Sequence, residues 1–220
     1  TPFNPKIGEH FTNVTNVITM SDLVNSKHLV PFRVFAAKEI DLKGLKIGFD
    51  GEFEKAELES RAITIIGDVV SDYVRTSMQV YGELRKGIVF SSGIAHGTEL
   101  MRKFQEAGIN AVQISANDDD EFKADVLSNF KRADTDIKLV ISSMILERGF
   151  DQADIDIVIL AKAIKKSFSS LVQMVGRGAR PHPGKEYCVV IDHGCNWLRH
   201  SKQWEKLYHE GVKELSSEPD

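Results

Sequence analysis

Cysteine is scarce in this 220-residue sequence. Only Cys188 and Cys195 occur, so no disulfide framework is available and a reducing compartment, the cytoplasm, is expected. With His193 and His200 they fit no common zinc-finger spacing, and no residue is assigned to a metal. No apolar run approaches the ~20 residues that a membrane span needs. The first thirty residues lack the charged-then-apolar order of a signal peptide, so a soluble chain with no membrane partner is expected. An excess of positive charge is missing too: the formal net charge is −4, which argues against a free-standing nucleic-acid coat but leaves room for a local basic strip. There is no Gly-x-Ser-x-Gly nucleophile elbow. Nor is there a phosphate loop, because before Gly184-Lys185 the glycine Gly178 stands one residue too far and Glu186 replaces Ser or Thr. The sequence opens on Thr1-Pro2 without an initiator methionine, from which a fragment or processed piece is expected.

What the sequence does have is a concentrated polar segment, Gln173-Met174-Val175-Gly176-Arg177-Gly178-Ala179-Arg180. On a helix the spacing of Gln173, Arg177 and Arg180 puts their polar heads on one face, with Leu171, Val172, Met174 and Val175 anchoring the other. Neighbouring guanidiniums repel unless an anion sits between them, and their planar forks match phosphate oxygens. The segment therefore reads as a phosphate claw. A surface helix end with two solvated arginines, stopped by Gly176, Gly178 and Pro181, fits the spacing equally well.

A hydrophobic content of 42% suffices for one sizeable core. A short helix is expected from Ser21 to about Lys27, with Ser21 as N-cap, then a strand over 30–36 and a loop over 37–53. From about Glu54 to Tyr81 apolar residues recur at threes and fours, giving a helical stripe that Gly67 interrupts or restarts. After Gly87 the texture changes. Short, mostly β-branched runs at Ile88-Val89-Phe90, 111–114, 139–141, 157–160 and 188–191 alternate with helical patterns near 95–107, 121–131 and 167–176. Such alternation predicts an α/β fold with a parallel sheet covered by helices on both faces. Asp118-Asp119-Asp120-Glu121 reads as the cap of the second of these helices rather than as metal ligands.

In a sheet of this kind ligands bind beyond the carboxyl ends of the strands. Ser91-Ser92-Gly93, with His96 one turn later, can form an anion site at a helix N-terminus, although an ordinary N-cap would look the same. Ser143 carries the same ambiguity. In Glu147-Arg148-Gly149-Phe150-Asp151 the glycine suggests close backbone approach and Asp151 an acceptor for a ribose hydroxyl, against the plainer reading of a helix cap and turn.

The order Ile88-Val89-Phe90-Ser91-Ser92, Val140-Ile141-Ser142-Ser143 leading to Arg148-Gly149-Phe150-Asp151, and Gln173-x-x-Gly176-Arg177-x-x-Arg180 resembles motifs IV, V and VI of superfamily-two helicases of the DEAD/DEAH type. The match covers roughly residues 85–195, the second RecA-like lobe. Thr1-Pro2 is similar to the tail of motif III, so the chain would begin where a first lobe ends. Gly8-Glu9-His10-Phe11, Leu29-Val30-Pro31 and Asp192-His193-Gly194-x-Asn196 resemble the RadD-like (YejH-like) bacterial and phage branch. The domain organisation expected is a linker over 1–30, the RecA-like lobe over 31–200, and a helix with an acidic tail over 201–220.

The resemblance implies a nucleic-acid-dependent ATPase whose site lies between two lobes, in the cytoplasm of a bacterial or phage-infected cell. Arg180 matches the arginine finger, Arg177 its phosphate-binding companion and Gln173 a residue near the attacking water or γ-phosphate. Gly149 and Asp151 match positions near the ribose. Ser91, Ser92, Gly93 and Ser143, grouped with His96, match positions that hold the phosphates of nucleic acid, with DNA the kind expected. ATP and Mg2+ are implied, the magnesium ligands and phosphate loop belonging to an N-terminal lobe, so this stretch alone would not turn ATP over. Two other readings stand beside this one: a non-catalytic RecA-like module that docks nucleic acid or protein, and the motor lobe of a restriction or remodelling enzyme.

Overall fold

The computed structural model describes residues 18–143 and 152–211. Six strands form one sheet: β1 (Phe32–Ala36), β2 (Gly87–Ser91), β3 (Ala111–Ile114), β4 (Leu139–Ser142), β5 (Ile157–Ala161) and β6 (Cys188–Asp192). Their order is β1-β6-β5-β2-β4-β3, and each neighbouring pair is parallel. Parallel pairing requires crossovers, which the helices supply: α1 (Met20–Asn25), α2 (Lys55–Ile63), α3 (Ile66–Tyr81), α4 (Ile94–Glu106), α5 (Asp120–Lys131), α6 (Phe168–Gly176), α7 (Asn196–Arg199) and α8 (Ser201–Glu210). Among the described residues no helix is long and apolar enough to cross a membrane.

Strand alternation builds a core on each face. Val89, Ile141, Ile159 and Ile191 point to one side, where Ala62, Val69, Tyr73, Leu100 and Phe104 of α2, α3 and α4 cover them. Ile88, Phe90, Val140, Val158 and Val190 point to the other, against Val126 and Phe130 of α5, Leu171 and Met174 of α6, and Trp204 of α8. The expected parallel sheet covered on both faces is present, and the central strands β2, β4, β5 and β6 are buried throughout. Trp204 ties α8 into the second core, with its ring 4.4 Å from Trp197 and 5.7 Å from Phe32.

Two local expectations change. The N-cap of α1 is Thr19, not Ser21: Thr19 Oγ1 accepts from Asp22 N–H at 3.2 Å while Asp22 accepts from Thr19 N–H at 2.9 Å, a reciprocal capping box that a serine inside the first turn cannot make. The helical stretch after Glu54 is two helices that part at Thr64 and Ile65, ahead of Gly67. The helix over 167–176 is present, and α6 ends at Gly176 as expected, without a left-handed turn, since neither Gly176 nor Gly178 has positive φ. Instead the helix tightens: Gly178 N–H donates to Val175 O at 2.9 Å and Ala179 N–H to Gly176 O at 3.2 Å. Gly178 is required by close approach, because a Cβ there would lie 2.2 Å from Cys188 Sγ.

All six strands run the same way, so every carboxyl end lies on one edge. From β2 the chain proceeds outward to β3, and from β5 outward in the opposite direction to β6. The switch point between these neighbours is where an open parallel sheet forms its crevice.

Candidate functional site

A cleft of about 1150 Å³ opens at this switch point. It is lined by Ser92 and Gly93 after β2, Ser143 after β4, Lys162 after β5, and Gln173, Met174 and Arg177 of α6, and it is roofed by residues of the 50–59 segment. Ser92, Gly93, Ser143, Gln173 and Arg177, singled out from sequence, thus share one surface. Gln173 is exposed and Arg177 partly buried, one helical turn apart; Arg180 is also partly buried but does not line the cleft. Gly149 and Asp151 lie outside the described residues.

The loop after β2 is held by its own side chains. Ser91 is fully buried, and its hydroxyl donates to Gly93 O at 2.9 Å. Ser92 Oγ donates to Ala161 O at 3.1 Å, joining the loop to the end of β5. Ser92 N–H donates to His96 Nδ1 at 3.1 Å, which places the imidazole proton on Nε2. His96 is fully buried, so its ring acts on the loop rather than in the cleft. Burial pushes its pKa down to about 4, helped by nearby His193. His193 Nδ1 meets Lys38 O at 2.7 Å and so carries its proton there. Its pKa is also lowered by burial, against the opposing pull of the Lys38 carbonyl and Asp72. Among the described residues neither Nε2 has a hydrogen-bond partner.

The loop after β5 is clamped from β6. Asn196 Oδ1 accepts from Ile164 N–H at 2.7 Å, while its Nδ2 donates to Lys162 O at 2.8 Å and to Asp192 Oδ1 at 2.9 Å. Asp192 Oδ2 accepts from Trp197 N–H at 2.7 Å. Arg199 Nη1 donates to Ile164 O and Gly194 O, both at 3.0 Å. A Cβ on Gly194 would stand 2.1 Å from Lys162 O. These contacts give the segment Asp192-His193-Gly194-x-Asn196 a physical purpose: it fixes the backbone that carries Lys162 into the cleft.

Lys162 escaped the reading from sequence. Its ammonium donates to Ser143 O at 3.3 Å. Burial lowers its pKa, with Glu52 opposing that effect. Two carboxylates were missed as well. Glu52 accepts from the backbone N–H groups of Lys165 (2.7 Å), Lys166 (3.0 Å) and Ser167 (2.7 Å), just ahead of α6. Glu59 accepts from His96 N–H at 2.9 Å in the first turn of α4, and a Cβ on Gly93 would lie 2.2 Å from its Oε1. Because Glu52 reaches 113 to 115 residues along the chain, no local pattern announces it. Chemically the cleft offers hydroxyls, backbone N–H groups, the ammoniums of Lys55 and Lys162 and the Arg177 guanidinium, donors suited to phosphate oxygens, beside the carboxylates of Asp50, Glu52 and Glu59. Among the described residues no group of three or more His, Cys, Asp or Glu stands together to hold a metal ion.

A family model described as the helicase conserved C-terminal domain matches residues 73–182. The chain is 25% identical over 201 residues to a 51.5 kDa protein of Lactococcus phage (isolate 7-9), covering 89% of this chain and 42% of that protein. It is 28% identical over 174 residues to a Saccharomyces cerevisiae (strain ATCC 204508 / S288c) protein named as an ATP-dependent helicase, IRC3, covering 78% of this chain and 24% of that protein. It therefore spans less than half of either relative. Among solved structures, a fragment named as an HsdR subunit of a type I restriction enzyme from Vibrio vulnificus YJ016 superposes with a TM-score of 0.68 at 20% identity, covering 97% of this chain and 41% of that one. The ATP-dependent Type ISP restriction-modification enzyme LlaBIII bound to DNA gives 0.56 at 18% identity, covering 80% and 13%. At these identities the structural likeness speaks for the fold.

Proposed function

Because this chain belongs to the helicase conserved C-terminal domain family, we propose that it is the second, RecA-like motor lobe of an ATP-dependent nucleic-acid helicase or translocase. The observation that carries this reading is the cleft itself, which unites Ser92 and Gly93, Ser143, and Gln173 with Arg177 on one edge of the sheet. The parallel sheet brings these segments to one edge, and a phosphate-bearing ligand gives the donors they carry a common partner.

In this reading the lobe does two jobs. Ser92, Gly93 and Ser143, with Lys162 beside them, hold the phosphates of a nucleic-acid strand through hydroxyls, backbone amides and one cation, contacts that follow shape and charge rather than sequence. The IRC3 relative is named as an ATP-dependent helicase. Gln173 and Arg177 fit a nucleotide phosphate, since one is exposed and the other borders the cleft on the same helical face. ATP supplies the phosphoryl group whose transfer to water requires charge on its oxygens to be stabilised, which is the work of Arg177 and of Arg180 as the finger. The phosphate loop and the magnesium ligands are assigned to a first lobe. An arginine delivered from a separate lobe makes hydrolysis depend on closure, so chemical state becomes movement along the strand. Gly149 and Asp151 keep their proposed place near the ribose, DNA the role of expected strand, and the bacterial or phage-infected cytoplasm that of expected compartment.

The test is made in the full-length parent. Arg180→Ala should lower magnesium-dependent ATP turnover by ~10³–10⁵ while nucleotide affinity changes by no more than several-fold. Unchanged turnover excludes Arg180 as the finger. Measuring the wild-type rate with single-stranded, double-stranded and forked DNA and RNA identifies the strand. A rate indifferent to all of them contradicts the motor reading.

A further inference from the structure

At the cleft, backbone amides of the turn ahead of α6 and of the first turn of α4 are taken by carboxylates from one short segment. Glu52 receives three N–H groups ahead of α6, and Glu59 receives the His96 N–H in the first turn of α4. Amides in such places favour an anion, and a carboxylate offers the same oxygens that a phosphodiester would. Between them stands Lys162, a cation without a carboxylate in ion-pair range among the described residues, its ammonium lying beside Ser143 O at 3.3 Å.

The segment bearing these carboxylates is unevenly anchored. Leu58 and Ala62 bury α2 firmly in the first core. The turn before it is closed by its own contacts, the Ile47–Phe53 bridge with Gly48 N–H to Glu52 O at 2.8 Å and Glu54 N–H to Lys46 O at 2.9 Å, and is fastened to the body through Phe53, while it displays Ile47 at 45% exposure and Phe49 fully exposed. Because those bonds lie within the turn, its exposed tip can lift as a unit about Phe53 and keep them, whereas Glu59 need only rotate its side chain.

We propose that Glu52 and Glu59 form an internal latch, holding the places of two backbone phosphates in the cleft and being displaced by a nucleic-acid strand. This rests on the reading of the cleft as a phosphate track and adds its regulation: the lobe stays closed to stray anions and opens to a polyanion that replaces both carboxylates together.

Neutralising the latch tests it. Glu52→Gln with Glu59→Gln keeps an acceptor oxygen at each place and removes the charge. By fluorescence anisotropy with a short single-stranded oligonucleotide, the 220-residue double variant should bind about tenfold more tightly than the unaltered chain, as two charge-assisted contacts no longer compete. Glu205→Gln, an equal charge change on the outside of α8, should leave affinity within twofold of the unaltered chain. Adding Lys162→Gln to the double variant should remove most of the gain. No gain in the double variant, while Lys162→Gln weakens the unaltered chain, overturns the latch and leaves the track standing. No gain together with no effect of Lys162→Gln overturns both. An equal gain from Glu205→Gln also overturns the latch, since bulk charge then explains the effect. If the double variant does not fold, hydrogen exchange on the unaltered chain decides. Oligonucleotide should speed exchange in residues 48–53, and slowed or unchanged exchange there overturns the proposal.

Discussion

The two edges of the sheet treat polar groups in opposite ways. At the amino edge charges are paired off: Lys86 Nζ donates to Phe130 O, Arg132 O and Asp154 Oδ2, each at 2.9 Å, and Arg85 reaches Asp156 at 3.6 Å and Glu83 at 3.1 Å. At the carboxyl edge the buried polar side chains Ser91, His96, His193 and Asn196 are turned onto the backbone of three loops, after β2, β5 and β1. One edge is closed by its own ion pairs. The other invests buried polar atoms in holding loops still around a cleft, an expense that makes sense where a ligand must be met by preset donors.

The sharpest way to break that contrast is to strike the clamp on the β5 loop. Gly194→Ala should destabilise the chain by about 3 kcal/mol, because the added methyl meets Lys162 O and neither strand end can yield easily. Chemical denaturation gives the number, and a loss below about 1 kcal/mol would mean the loop is looser than its contacts imply. Asn196→Ala comes next, at about 1–3 kcal/mol, since it strands Ile164 N–H and Lys162 O in a buried place.

Acid should separate the edges further. His96 binds its proton at about 4 in the folded chain, against an ordinary value of 6.5. Between those values the unfolded chain holds more protons, so the neutral ring's contribution is complete above about pH 6.5. It is lost as pH falls toward 4, to the order of 3 kcal/mol. Denaturation midpoints at pH 7 and 4.5 should differ less in His96→Gln than in the unaltered chain, and an equal difference would contradict a buried neutral imidazole. The smallest effect is expected at the amino edge. Arg85→Gln, whose side chain is 42% exposed, should cost about 1 kcal/mol or less.

How much of this was legible in the sequence follows from the range of each interaction. The strands were readable because the burial of β2, β4, β5 and β6 on both faces demands uninterrupted apolar, largely β-branched runs, and their observed ends fall within a residue or two of the expected ones. Asp119 capping α5, through Phe122 N–H at 2.7 Å, was readable for the same local reason. The position of Thr19 as cap was not, since Ser21 satisfies the same residue preference and only the geometry of Asp22 separates them. The convergence of Ser92, Ser143, Gln173 and Arg177 follows from parallel strands placing every carboxyl end on one edge. Glu52, Glu59 and Lys162 stayed hidden because their partners lie 19 to 115 residues away, where no periodicity reaches.

The chain's proposed role as half of an ATP site can be tested directly by incubating the purified 220 residues with magnesium, ATP and oligonucleotide and following phosphate release. The prediction is weak nucleotide binding and no turnover above buffer. Sustained, magnesium-dependent release that Arg180→Ala abolishes would contradict it, because a lobe that catalyses alone needs no second wall.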